Sequence, residues 1–357
     1  VLALLGLGTF NLLIDPYDAY RLAFRDRLLP YKDAWYTRTA KAEMLSHGGW
    51  KAVVIGNSRV ELGIDPDSPA LVQPAYNAGL PGASAEEILL AGRLALQDPQ
   101  LRRLIVCIHL RDFLGSPNED EYRDTRLNPD LDLLSYHLDH LIGLEATGKS
   151  FATLANARKD KPSRAHRRGL VEHPDAATSP RSWQLTEYSD NSSIDTLAYT
   201  GPLEPSRVQP LKDLLALAAR RDVKLDLVIL PTHAVAIARL DLNGQWPALE
   251  RFLAELASIV AVHNASFPSH PVSFWDFTSF DGASAEPYPT KEQPHREMTW
   301  WYDSGHFRPV LGEQVLRCIN ATGDQSIGIR ITPEELPVHL SRLRAGRDAF
   351  LATHLPR

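Results

Sequence analysis

The chain has 357 residues, 44% hydrophobic and 23% charged, an ordinary globular composition that excludes a disordered or fibrous protein. A formal net charge of -6 argues against a nucleic-acid binder, whose footprint is basic. Two cysteines, Cys107 and Cys318, are too few for a disulfide scaffold or a cysteine-based zinc site, and their apolar neighbours read them as buried free thiols.

Val1 to Ile14 carries no charge, and Thr9 and Asn11 are its only polar side chains. It falls short of the roughly 18–20 residues that span a bilayer. We read it as the tail of a longer apolar signal anchor that leaves the membrane at Asp15-Pro16-Tyr17. Trp50 to Ile55, ending at Gly56, has the continuous apolar character of a buried parallel strand. Ala85 to Leu96 reads as a helix, with Ser84 as N-cap and Glu86 and Glu87 in its first turn. Leu104 to Ile108 is the next strand.

From about 115 to 205 the strand–helix rhythm stops, and the segment reads as a helical insertion or lid over the sheet edge. Within it Arg158 to Arg168 holds six basic residues and one acidic, which favours a solvated loop over a surface for an anionic polymer. The rhythm resumes with a helix over Leu211–Arg221, a strand over Lys224–Leu230 stopped by Pro231, and a long amphipathic helix over Trp246–His263. Pro271 to Trp275 is a strand, Thr278 to Thr299 a loop, and Pro309 to Ile319 a helix with proline at its first position. The tail after Thr332 reads as a helix on the outside. Alternating strands and helices predict an α/β fold, a three-layer α/β/α sandwich with a parallel sheet. Its functional residues belong at the carboxyl ends of the strands. The predicted organisation is an anchor end over residues 1–20, an α/β domain over 21–330 and a helical tail over 331–357.

Two short motifs carry chemistry. Gly56-Asn57-Ser58-Arg59 follows the first strand directly, so Gly56 allows a tight turn and Ser58 becomes a candidate nucleophile at the strand's carboxyl end. Far along the chain, Asp303-Ser-Gly-His306 precedes the last core helix, a spacing that lets the carboxylate hold the imidazole's tautomer while the other ring nitrogen faces a serine. On the same predicted rim, His109 and Asp112 follow the second strand, and His233 follows Pro231. Arg59 can pair a carboxylate or a sugar hydroxyl, and Trp301, flanked by Trp300 and Tyr302, can stack on a sugar ring. His137 and His140 lack a third ligand in view, so no metal site is assigned, and no cofactor is implied because no phosphate loop or dinucleotide fingerprint appears.

Strand-GNSR, then Tyr76-Asn-Ala-Gly79, then D-x-x-H before the last core helix together resemble the SGNH/GDSL hydrolase superfamily over residues 50 to 320. Ile14-Asp-Pro-Tyr-Asp-Ala-Tyr20 resembles the segment after the anchor in its membrane-anchored periplasmic branch, which is related to alginate and cellulose O-acetylation proteins. The resemblance implies a flavodoxin-like sheet, Ser58 as nucleophile, His306 as base and Asp303 as its orienting carboxylate. It also implies an oxyanion hole from the amides of Ser58 and Gly79. The family's third block, a G-x-N-D-like sequence, has no asparagine here: the chain reads His109-Leu-Arg111-Asp112, which offers Arg111 or His109 as a substitute donor. The implied function is O-acetyl transfer or O-acetyl-ester hydrolysis on an exported or envelope polysaccharide, outside the cytoplasm. Its partners would be the glycan, an acyl-donor protein or small acyl donor, and a membrane-bound acyltransferase. The rival reading is a non-catalytic carbohydrate-binding or scaffold subunit of a polysaccharide modification or export complex.

Overall fold

The computed structural model describes residues 1–22, 25–114, 121–173, 203, 205–289, 293 and 296–354. Its elements run α1 (Leu2–Ile14), α2 (Arg38–His47), β1 (Ala52–Gly56), α3 (Ser58–Gly63), β2 (Ala75–Gly79), α4 (Ala85–Ala95), β3 (Arg103–Cys107) and α5 (Leu110–Leu114). They continue with α6 (Leu133–Ile142), α7 (Leu144–Arg158), α8 (Pro205–Arg220), β4 (Lys224–Ile229), α9 (Ala234–Leu242), α10 (Trp246–Ser266), β5 (Ser273–Asp276), α11 (Pro309–Ile319), β6 (Ile329–Arg330) and α12 (Leu336–His354).

One six-stranded sheet has the order β2-β1-β3-β4-β5-β6. The first five strands are parallel and β6 is antiparallel to β5. Both faces are buried, which is why β1 reads as an unbroken apolar run. Val53 and Ile55 join one core with α4, α8 and α10, whereas Ala52 and Val54 join a second core with α3, α9 and α11. The molecule is thus an α/β protein with a mostly parallel sheet, compatible with a three-layer sandwich. The predicted cap of α4 is a complete capping box between Ser84 and Glu87. Cys107 and Cys318 are buried free thiols.

Strand β2 is not among the strands expected from sequence, because Ala75-Tyr-Asn-Ala-Gly79 is small and polar rather than β-branched. It forms because every residue pairs in register with β1, from Ala52↔Ala75 to Gly56↔Gly79. Its outer edge is covered by the chain around a bridge between Ala165 and Val171, with the Asn77 amide donating to Arg168 O at 2.9 Å. The basic run therefore ends docked on the sheet edge. Arg167 and Arg168 reach Asp18 and Asp67 there. Residues 115–120, 174–202 and 204 of the insertion lie outside the described residues.

The uncharged N-terminal segment is helical, and its second half rests on the insertion helices: Asn11 Nδ2 donates to Leu141 O and to Thr147 Oγ1, each at 2.9 Å. Val1, Leu2, Leu4 and Leu5 stand exposed at its start. Asp15 ends α1 in the left-handed region, and its carboxylate gathers the amides of Ala19, Tyr20 and Arg21. Among the described residues no helix is long and apolar enough to cross a membrane. The tail forms α12, which buries Leu343 and Phe350.

Candidate active site

The chain reverses its direction of travel across the sheet between β1 and β3, and such a switch point opens a crevice at the strands' carboxyl ends. Ser58 emerges there as the first residue of α3, with Asn57 as N-cap. Gly56 is needed in the preceding turn, since a Cβ would press on Val60 and on Cys107 O. Helices α3 and α11 cross through a pair of glycines: a side chain on Gly63 would strike the Phe307 ring, and one on Gly312 would strike Gly63 O. That close crossing draws the loop before α11 onto the serine.

The result is a hydrogen-bonded Ser–His–Asp triad. Ser58 Oγ lies 2.8 Å from His306 Nε2, and His306 Nδ1 lies 2.8 Å from Asp303 Oδ2. Asp303 Oδ1 meanwhile accepts the amides of Gly305 at 2.7 Å and His306 at 2.8 Å, which locks the loop around the carboxylate. Burial pushes the Asp303 carboxyl up, but the hydrogen bond and charge of His306 with those two amides outweigh it, and the net direction is down. An ionised Asp303 assigns the proton to Nδ1 and leaves the Nε2 lone pair for the serine hydroxyl. The side chains of His306 and Asp303 are 30% and 25% exposed, so the crevice reaches them.

The first turn of α3 carries amides without an intrahelical acceptor, the kind of donor that can stabilise an oxyanion. Asn57 Oδ1 takes Arg59 N, and Asn57 O takes Val60 N and Glu61 N, which leaves the Ser58 amide without an acceptor among the described residues. Gly79 requires a correction. Its N–H donates to Asn77 Oδ1 at 2.9 Å, because the buried Asn77 is fixed by its own donation to Val60 O and Ile64 O. The Gly79 amide is therefore committed within β2. Three residues on, Gly82 is exposed, has φ 64°, and has no heavy atom within 4 Å of where a Cβ would sit.

Two further expectations are corrected. Trp301 is fully buried; its indole donates to Ala283 O at 2.6 Å, so it cores the triad loop instead of facing a sugar. His233 is 1% exposed and braces the same loop: its amide donates to Ser304 O and its Nε2–H to Glu286 O at 2.7 Å. Burial brings it down to about 4, which keeps it neutral. His140 turns its Nδ1 to Tyr136 O, and among the described residues no group of three or more candidate ligands could hold a metal ion.

Asp112, on the predicted rim, and Asn57, beside the candidate nucleophile, have a task that the motifs alone do not show. Asp112 Oδ1 accepts Asn57 Nδ2 at 3.0 Å and Oδ2 accepts His109 N at 2.7 Å, so the carboxylate ties the turn before α3 to the turn before α5. An asparagine just ahead of a helix was the readable capping signal. Burial pushes the Asp112 carboxyl from 3.8 up to about 6, against the pull of Asn57, Arg59, the His109 amide and Arg111. A raised carboxyl favours the protonated native state, so its stabilising contribution is present below the unfolded value and is lost as pH rises through the folded one. The stability of wild type minus that of Asp112→Asn should therefore fall between about pH 4 and pH 6 and stay level above about pH 7. Urea unfolding across that range checks this; a difference that stays flat or rises refutes it.

No protein-family model matches the sequence, and no curated protein matches it closely enough to count as a relative.

Proposed function

We propose that this protein is a serine-dependent acyl-ester enzyme of the SGNH type that acts on carbohydrate, as an O-acetyltransferase or O-acetylesterase of an envelope or exported polysaccharide. The observation that carries the proposal is the continuous Ser58–His306–Asp303 relay at hydrogen-bond distances. In it His306 removes the Ser58 proton as Oγ attacks the acyl carbonyl, then returns it to the departing alcohol; a sugar hydroxyl or water reverses the sequence. The strand order β2-β1-β3-β4-β5, with the nucleophile directly after β1, supports an SGNH-like arrangement. The uncharged Val1–Ile14 segment supports an extracytoplasmic location beside a membrane-bound acyl donor.

Incubation with a chromogenic acetyl ester, with and without an acceptor glycan, tests the proposal. Release of chromophore is the expected result, and acetylated glycan in the second arm distinguishes transferase from esterase. No turnover by correctly folded protein overturns the catalytic reading in favour of a binding subunit.

A further inference from the structure

Three neighbouring helices turn polar residues inward and leave large apolar ones outside. Helix α7 buries Ala146, Ser150 and Thr153, two of which carry hydroxyls. Its exposed face is Leu144, Gly148, Phe151, Ala155 and Arg158, one stripe at alternating helical spacings. Leu144 is 89% exposed and Phe151 60%. Helix α6 buries Tyr136 and His140 and exposes Leu133, Leu134 and Leu138. Helix α1 buries Asn11, whose amide bonds to Leu141 O of α6 and Thr147 Oγ1 of α7, and exposes Leu2, Leu4 and Leu5. The Phe10 and Phe151 rings meet at 4.9 Å between centroids, so the three helices form one unit.

A helix that faces water does the reverse. Of the seventeen large hydrophobic side chains exposed among the described residues, eleven lie on these three helices, counting Val1 at the cap of α1. The other six each lie on a different element or loop. Single exposed hydrophobes need no explanation, whereas a group on one packed unit marks a contact surface. Polar groups that bond helix to helix beneath an apolar exterior are the packing found where hydrocarbon is the solvent. Charge completes the pattern. Arg158 ends the α7 stripe, and Lys159, Lys161 and Arg164 follow, all exposed. Among the described residues none of these four side chains meets a carboxylate. The other charges of α7, Glu145 and Lys149, lie off the stripe, bonded to the hydroxyls of Tyr17 and Tyr36 at 3.2 and 3.1 Å. An apolar face bordered by unpaired cations is complementary to a bilayer with anionic headgroups. A two-fold dimer on this face would instead gather the cations of both copies at one interface.

We propose that α1, α6 and α7 form a platform that lies on the surface of an anionic bilayer. The leucines and Phe151 enter the acyl boundary, and Arg158, Lys159, Lys161 and Arg164 lie among the headgroups. The insertion thereby holds the α/β domain against the membrane, which α1 by itself would only tether. The platform is independent of the chemistry at Ser58.

Sedimentation of the full chain with lipid vesicles tests this. Vesicles of phosphatidylcholine mixed with phosphatidylglycerol should carry the protein down, and vesicles of phosphatidylcholine alone, or high salt, should weaken binding. Two variants separate the platform from α1, which both leave intact. Phe151→Ser with Leu154→Ser removes apolar contact, and Arg158→Glu with Lys159→Glu and Lys161→Glu reverses the charge. Each should weaken binding to the mixed vesicles at least about tenfold. The charge reversals fall on exposed residues, so they decide the matter should the Phe151 variant fail to fold. No binding to mixed vesicles, or binding unchanged in either folded variant, overturns the platform. Analytical ultracentrifugation runs alongside: self-association that Phe151→Ser abolishes, without vesicle binding, makes the face an interface between copies and also overturns it.

Discussion

Ser58→Ala should lower acetyl-ester turnover by at least about 10⁴-fold while leaving the folded structure in place, because among the described residues the lost hydroxyl bonds only to His306 and fills no core position. His306→Ala should be comparably damaging, and the double variant no worse than either single one, since nucleophile and base act as a unit. Asp303→Asn should cost up to about 10⁴-fold for a different reason. Asp303 Oδ1 receives two loop amides and Oδ2 receives the imidazole, so an asparagine that keeps its oxygen toward the amides turns its NH₂ toward His306 Nδ1. That moves the ring proton to Nε2 and leaves no lone pair to accept from the serine. A fluorophosphonate should label Ser58 in wild type and leave the His306 variant unlabelled. Full turnover by Ser58→Ala would exclude the covalent route.

The second large effect lies beneath the site. Lys41 is 1% exposed, and its Nζ contacts Glu61 Oε1 at 2.9 Å, Gly169 O at 3.3 Å and the Gly79 carbonyl. One ammonium thus ties α2 to α3, to the end of β2 and to the segment that covers the sheet edge. Burial lowers the Lys41 pKa, and the charge of Glu61 opposes that shift. Removing the lysine leaves the Glu61 carboxylate uncompensated in the interior, so Lys41→Ala should destabilise the protein by about 3–5 kcal/mol. Lys41→Met combined with Glu61→Leu should recover most of that loss, because the desolvation penalty leaves together with the pair. Both are read from urea unfolding midpoints. A loss under about 1 kcal/mol for Lys41→Ala would show that the pair is not an essential tie.

The local elements were legible in the residues because their causes are local. An apolar run ending at glycine made β1, the Ser84 and Glu87 capping box started α4, and Pro309 opened α11 where the sequence placed it. Gly-Asn-Ser and D-x-x-H were likewise legible as a candidate nucleophile and an acid–histidine pair, because helix entry and three-residue spacing are local geometry; that they join in one triad was implied by the resemblance. What the residues left open depended on which side of a segment faces inward. Trp301 and His233 look like substrate contacts in a polar loop, yet both are buried, and their bonds to Ala283 O and Glu286 O brace the loop from inside. Asn77 and Gly79 look like an oxyanion element until the burial of Asn77 commits the glycine amide. Strand β2 has little propensity of its own and exists because β1 and the docked edge segment satisfy its backbone.

Sequence by itself therefore determined strands β1, β3, β4 and β5 with helices α4, α8, α10 and α11 in their order, the turn that presents Ser58, and the pairing of Asp303 with His306, all set within a few residues of chain. Only the tertiary structure brought Ser58 to His306, 248 positions away, because the glycine-to-glycine contact of α3 with α11 is a packing event with no local signature. It likewise decided that Arg59 spans the crevice to Thr232 and that Asp112 links two turns from different strands. Those contacts join residues that share only the carboxyl rim of a parallel sheet, and the rim exists once the sheet has closed.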